Sequence, residues 1–245
     1  MQPVLLYYLN LLLCAIVFIE LLFRCRKNTT LKVYFLLITA SLFVINFYAI
    51  NGVETRTEFI FVRFVRLVYV AGTVLSLVYL AQRRPPRWLV GLMIFAAVCV
   101  TGLRIANYHE INIDAVNNLP NPLFSVGTEL FITSIYPRIM MLIFSSATLF
   151  IGYYYYRRLM IKLDFNQPHA RQLSRWAISL VVPMFLLIIF GILANMKVVN
   201  SMLATYLFGV FSCTAVCSLI MRPRFLDTDV SGISEESRSA AMGVR

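Results

Sequence analysis

Four arginines, Arg63, Arg66, Arg104 and Arg138, stand inside otherwise apolar stretches of this 245-residue chain. A guanidinium keeps its charge at any physiological pH, and its planar fork makes two parallel hydrogen bonds to a carboxylate or a phosphate. In hydrocarbon such a charge costs at least about 2.5 kcal/mol unless it snorkels, pairs or meets water. Arg63 and Arg66 are one turn apart and share a helix face. Asn46, Tyr69 and Tyr136, together with Tyr48, Asn51 and Asn107, fall at comparable depth and offer neutral hydrogen bonds. Two readings stay open. In one, the arginines pair with Glu54, Glu58, Glu110, Asp114 or Glu129 and brace the fold; in the other, they converge on a pocket for an anionic small molecule arriving from outside.

Other chemistry is thin. Glu20 is the one acid within an apolar stretch, and His109-Glu110 opens like a zinc-protease helix but has Ile113 where the second histidine is required. His169 falls in a polar joint, and no Gly-rich phosphate loop, nucleophile elbow or intramembrane carboxylate pair is present. The expectation is therefore a protein that is not an enzyme, without metal or cofactor; an intramembrane lipid-modifying enzyme would have only Glu20 to work with. The five cysteines, Cys14, Cys25, Cys99, Cys213 and Cys217, read as packing residues within or beside apolar stretches. The last stretch holds no lysine for a retinal Schiff base.

The elements that must position these residues are seven apolar runs: Pro3 to Phe23, Val33 to Ile50, Phe59 to Ala81, Trp88 to Asn107, Pro137 to Arg157, Gln172 to Ile192 and Ser201 to Met221. A bilayer core of about 30 Å takes roughly twenty residues of helix to cross. The runs are continuous rather than alternating, which excludes a β-barrel, and 60% hydrophobic against 13% charged residues leaves no room for a soluble domain. The fold class is all-α: a polytopic membrane protein, a seven-transmembrane-helix bundle over residues 1–226 with a tail or linker over 227–245. Pro137 suits the first residue of the fifth span, with Tyr153 to Tyr156 as an interfacial anchor at its other end, and Pro183 should bend the sixth.

Charge sets the orientation. The joints after the first, third and fifth runs carry Arg24, Arg26, Lys27 and Lys32, then Arg83, Arg84 and Arg87, then Arg157 to Arg175 with five basic residues, whereas the alternate joints carry Glu54, Arg56 and Glu58, then Glu110, Asp114 and Glu129, and finally a lone Lys197. The positive-inside rule places the N-terminus outside and the C-terminus in the cytoplasm. The net charge of +11 then meets anionic lipid headgroups rather than nucleic acid. Membrane lipids are thus expected partners, and Gly91, Gly102, Gly152, Gly191 and Gly209 would permit close helix contacts within a subunit or in a homodimer.

The exit from the last run, Ser218-Leu219-Ile220-Met221-Arg222-Pro223-Arg224-Phe225-Leu226, is followed by Val230-Ser231-Gly232-Ile233-Ser234-Glu235-Glu236. It resembles the membrane exit of bacterial membrane-anchored AraC-like regulators, as does His169-Ala170-Arg171-Gln172-Leu173-Ser174-Arg175-Trp176 before the sixth run. The resemblance implies a seven-helix sensor domain in a bacterial inner membrane that serves transcription regulation through a cytoplasmic helix-turn-helix effector. That effector is missing from these residues, so no base-reading residue carries over and no direct nucleic acid contact is expected. The rival reading is a small transporter or channel for an organic anion, against which stands the lack of an internal repeat.

Overall fold

The computed structural model describes residues 4–24, 29–82, 85–106, 108–110, 135–163, 168–195 and 201–223. Among them are seven α-helices and no strand: α1 (Val4–Arg24), α2 (Thr29–Asn51), α3 (Arg56–Gln82), α4 (Arg87–Ala106), α5 (Ile135–Lys162), α6 (Pro168–Asn195) and α7 (Ser201–Ile220), with a 3-10 turn at Tyr108–Glu110. Each of α1 to α4 holds a stretch long and apolar enough to cross a bilayer, and α7 holds a shorter apolar stretch, Tyr206–Ile220. Helices of this kind satisfy their backbone polar groups internally, as hydrocarbon demands. The expected tail over 227–245 and most of the connection between α4 and α5 lie outside the described residues.

Local chemistry sets the helix ends. Gly52, at φ 76°, closes α2 by donating its N–H to the Tyr48 carbonyl at 3.0 Å. Three residues later Thr55 opens α3 with a capping box: its hydroxyl accepts the Glu58 N–H at 3.2 Å, while the Glu58 carboxylate accepts the N–H groups of Glu54 at 2.8 Å and Thr55 at 3.2 Å. At the opposite end of the bundle, basic side chains from the joints serve as C-caps. Lys32 Nζ donates to the Leu22 carbonyl of α1 at 2.8 Å, Lys162 Nζ to the Ala81 carbonyl of α3 at 2.8 Å, and Arg222 Nη1 to the Leu219 carbonyl of α7 at 3.1 Å. Some of the basic residues that mark the orientation in the sequence therefore also neutralise the negative ends of three helices.

Two boundaries differ from the sequence expectation. α5 starts at Ile135, so Pro137 sits within its first turn instead of opening it; the missing N–H falls among the first four donors, which have no intrahelical partner anyway. The joint between the fifth and sixth runs is largely helical, because α5 continues through Lys162 and α6 begins at Pro168, a good first helical residue.

α3 is the central helix, packing against α2, α4, α5 and α6, and it buries 56% of its apolar stretch against 22% for α4. α1 packs between α2 and α7, and α6 against α7 and α5. Phe35 of α2 meets Trp176 of α6 edge to face, ring centroids 5.7 Å apart, and the Trp176 indole donates to the Ser218 carbonyl of α7 at 2.8 Å. Pro183 has no N–H to offer the Ser179 carbonyl one turn back. Ser218 Oγ of α7 lies 3.0 Å from that carbonyl and 2.7 Å from the Thr214 carbonyl of its own helix, so its one proton is shared between a tie to α6 and a bond within α7.

Candidate anion site

α3 and α4 carry the arginines into the bundle. Arg63 is 4% exposed, Arg104 is 6% exposed and Arg66 is partly buried. Arg63 and Arg66 project from successive turns of α3, and Arg104 comes from the last turn of α4, within electrostatic reach of both. The depths agree because α3 begins and α4 ends at the same end of the bundle, where the Thr57 and Tyr108 hydroxyls lie 3.4 Å apart and the Arg56 guanidinium stands 5.6 Å from the Tyr108 ring centre. Tyr7 of α1 also comes within electrostatic reach of Arg66, which brings a third helix to the group.

Arg63 is the unusual member. Its guanidinium stands over the Phe59 ring at 5.2 Å, yet Nε and Nη2 have no hydrogen-bond partner among the described residues. The charges it feels are those of Arg66 and Arg104, of its own sign. Arg66 and Arg104 have further interactions of their own. The Thr101 hydroxyl, one turn from Arg104, is likewise buried without a hydrogen bond among the described residues, and the buried Tyr69 hydroxyl, one turn from Arg66, has Thr73 as its polar neighbour. In a low-dielectric interior, the Arg63 Nε and Nη2 donors, which have no acceptor among the described residues, could bind a carboxylate or phosphate.

The other residues expected here have different fates. Asn46 is engaged elsewhere: its amide donates to the Ser212 hydroxyl of α7 at 3.1 Å and to the Leu42 carbonyl at 2.7 Å, and its oxygen accepts Asn10 of α1 at 3.1 Å. Both of its N–H donors are used, so it belongs to a buried network of three helices and not to the anion site. The Asn10 amide also donates to the Gly209 carbonyl at 3.1 Å. Gly209 lets α1 approach closely there: a Cβ would stand 2.6 Å from Leu6 Cδ2, so the leucine side chain would have to shift to admit it. Arg138 and Tyr136 lie near the start of α5, with side chains outside the described residues. Of the acids expected to brace the arginines, Glu58 is engaged in its capping box and Glu54 is exposed; Asp114 and Glu129 lie outside the described residues, as does the Glu110 side chain.

The sequence reading missed the partner of Glu20. Its carboxylate lies 3.6 Å from Arg222 Nη1, joining the end of α1 to the exit from α7, with the Arg222 side chain 2% exposed. This pairing gives Glu20 a structural role. Pro223, next in the chain, is buried as well. Comparison of the chain with protein-family models, with curated proteins and with solved structures returned no match.

Proposed function

We propose that the chain is a ligand-sensing membrane module, a bundle of seven spanning helices with its N-terminus outside, in which Arg63, assisted by Arg66, Arg104 and Tyr69, binds a small anion that enters from the outer side. The observation that carries this reading is the buried Arg63 guanidinium, with two nitrogens lacking acceptors and two guanidiniums as its charged neighbours among the described residues. A bound carboxylate or phosphate would supply acceptors and counter-charge together. The orientation is supported by the gathering of Lys32, Lys162 and Arg222 at one end of the bundle, the end that the positive-inside rule assigns to the cytoplasm.

The output side is the exit of α7. Arg222 is held by Glu20 of α1, while α1 also meets Arg66 through Tyr7 and α7 through Asn10. One helix therefore reaches the segment that would lead to a cytoplasmic helix-turn-helix effector in a bacterial inner membrane and also brings Tyr7 within electrostatic reach of Arg66. An anion that favours one arrangement of this bundle would shift the position of that exit by as much as its affinity differs between the two arrangements.

The test is a panel of short carboxylates and inorganic phosphate added to the purified protein in nanodiscs, read by thermal unfolding. At least one anion is expected to raise the midpoint of the parent protein and to leave Arg63→Gln unmoved. A panel without effect on the parent, or an equal effect on folded Arg63→Gln, refutes the proposal.

A further inference from the structure

Between α4 and α5 runs a groove of about 180 Å³ whose open surface is wholly apolar, extending from Leu92 to Leu103 on one wall and from Ile143 to Ile151 on the other. At about 1.5 Å per residue the α4 wall rises roughly 16 Å, close to one leaflet of a hydrocarbon core about 30 Å thick. Its upper end adjoins the arginine group. Met93 and Val100 line the groove and share one stripe of α4 with Arg104, which follows Val100 by a single turn. A lipid-facing slot one leaflet long that ends beside buried guanidiniums is complementary to one kind of molecule.

We infer that the ligand of the arginine site is a single-chain anionic amphiphile, a long-chain carboxylate whose headgroup meets Arg63 and Arg104 and whose chain lies in the groove between α4 and α5. This rests on the reading of the arginines as an anion site. It adds the chain, and with the chain a route of arrival through the outer leaflet. The carboxylate matches the fork of a guanidinium. The groove gives the chain packing contacts without a hydrophobic gain, since it would otherwise lie in lipid tails of equal polarity. Selectivity for the chain must therefore come from shape, and a bulky side chain in the groove should expel it.

The experiment is equilibrium binding of radiolabelled dodecanoate to the full chain in phosphatidylcholine nanodiscs, with dodecanol as competitor. Ala147→Phe fills the groove from an exposed position on α5, and Ala96→Phe fills it from α4 should the first variant fail to fold. The expected result is that either variant weakens binding about tenfold or more, equivalent to about 1.4 kcal/mol, and that dodecanol does not compete. Unchanged affinity in both groove variants, with binding lost in Arg63→Gln, overturns the groove inference and leaves the anion site standing. Unchanged affinity in folded Arg63→Gln overturns the anion site itself. Absence of dodecanoate binding to the parent protein overturns the inference, while the short-anion panel decides the site independently.

Discussion

Replacing Arg63 by leucine separates a ligand site from a brace, because the two roles give opposite signs. A guanidinium at the centre of a spanning helix costs about 2.5 to 3.5 kcal/mol on an insertion scale, and Arg63, in the first third of α3, meets the lower part of that range. Arg63 recovers part of this from the Phe59 ring, a contact worth about 1 to 2 kcal/mol when desolvated. Its Nε and Nη2 recover nothing from the described residues, and Arg66 and Arg104 add repulsion. Arg63→Leu in the absence of ligand should therefore stabilise the protein by about 1 to 2 kcal/mol. With the slope of soluble chains of this size, that is a rise of about 2 to 8 °C in the unfolding midpoint. The assay is thermal unfolding in detergent, read by the loss of a monodisperse elution peak and by tryptophan fluorescence. A brace would behave otherwise: removing one member of a buried ion pair costs about 3 to 5 kcal/mol. A midpoint several degrees below that of the parent would refute the reasoning and establish Arg63 as a structural residue.

Three further outcomes follow from the interhelical contacts. Asn46→Leu removes the ties to Asn10 and Ser212, and at about 0.6 to 2 kcal/mol for each intramembrane hydrogen bond it should destabilise by about 1 to 4 kcal/mol while anion binding, measured by titration, stays intact; lost binding in a folded variant would return Asn46 to the site. Glu20→Gln leaves the Arg222 charge buried, and with Glu20 itself 21% exposed the loss should be about 1 to 3 kcal/mol, below that of a fully buried pair. Adding Arg222→Met should recover most of it, and strictly additive effects in the double-mutant cycle would show that the pair does not interact. Ser218→Ala removes the hydroxyl shared by the Ser179 and Thr214 carbonyls and should cost up to about 1 kcal/mol, and the loss should shrink in a Pro183→Ala background, where residue 183 regains its N–H. An equal loss in both backgrounds would break that link.

Helix count and type were legible in the run lengths; the α2 to α3 turn was not read, although the Thr55 to Glu58 spacing carries the capping-box signal that would have found it. Depth was legible too, since counting from the span ends puts Arg63 and Arg104 at one level and the structure brings them together. Rotation about the helix axis was not. A helix that faces lipid on one side and other helices on the other is apolar all round, so the pattern carries no stripe to say which way a residue points. Asn46 shows the consequence, sharing the depth of the arginines while facing α1 and α7. Long-range pairing was equally hidden: Glu20 stood out as an intramembrane acid, but nothing local pointed to Arg222 at the far end of the chain.

The position of the arginines within the bundle has a physical logic of its own. On one side stands a scaffold tied across helices by polar contacts: Asn10, Asn46 and Ser212 join α1, α2 and α7, and Trp176 and Ser218 join α6 and α7. On the other side is α4, the least buried of the first four helices, which packs mainly against α3 and α5 and leaves an apolar groove beside α5. Arg63 and Arg66 belong to α3, which packs directly on the tied α2, and Arg104 belongs to the loosely packed helix. Like charges across that boundary oppose the packing of α4 on α3; on the proposed reading, an anion between them would draw α4 back, and the energy of binding would go to one lightly packed helix instead of to repacking the core. A site placed wholly within the tied half would have to break several buried hydrogen bonds for the same displacement, at about 0.6 to 2 kcal/mol each.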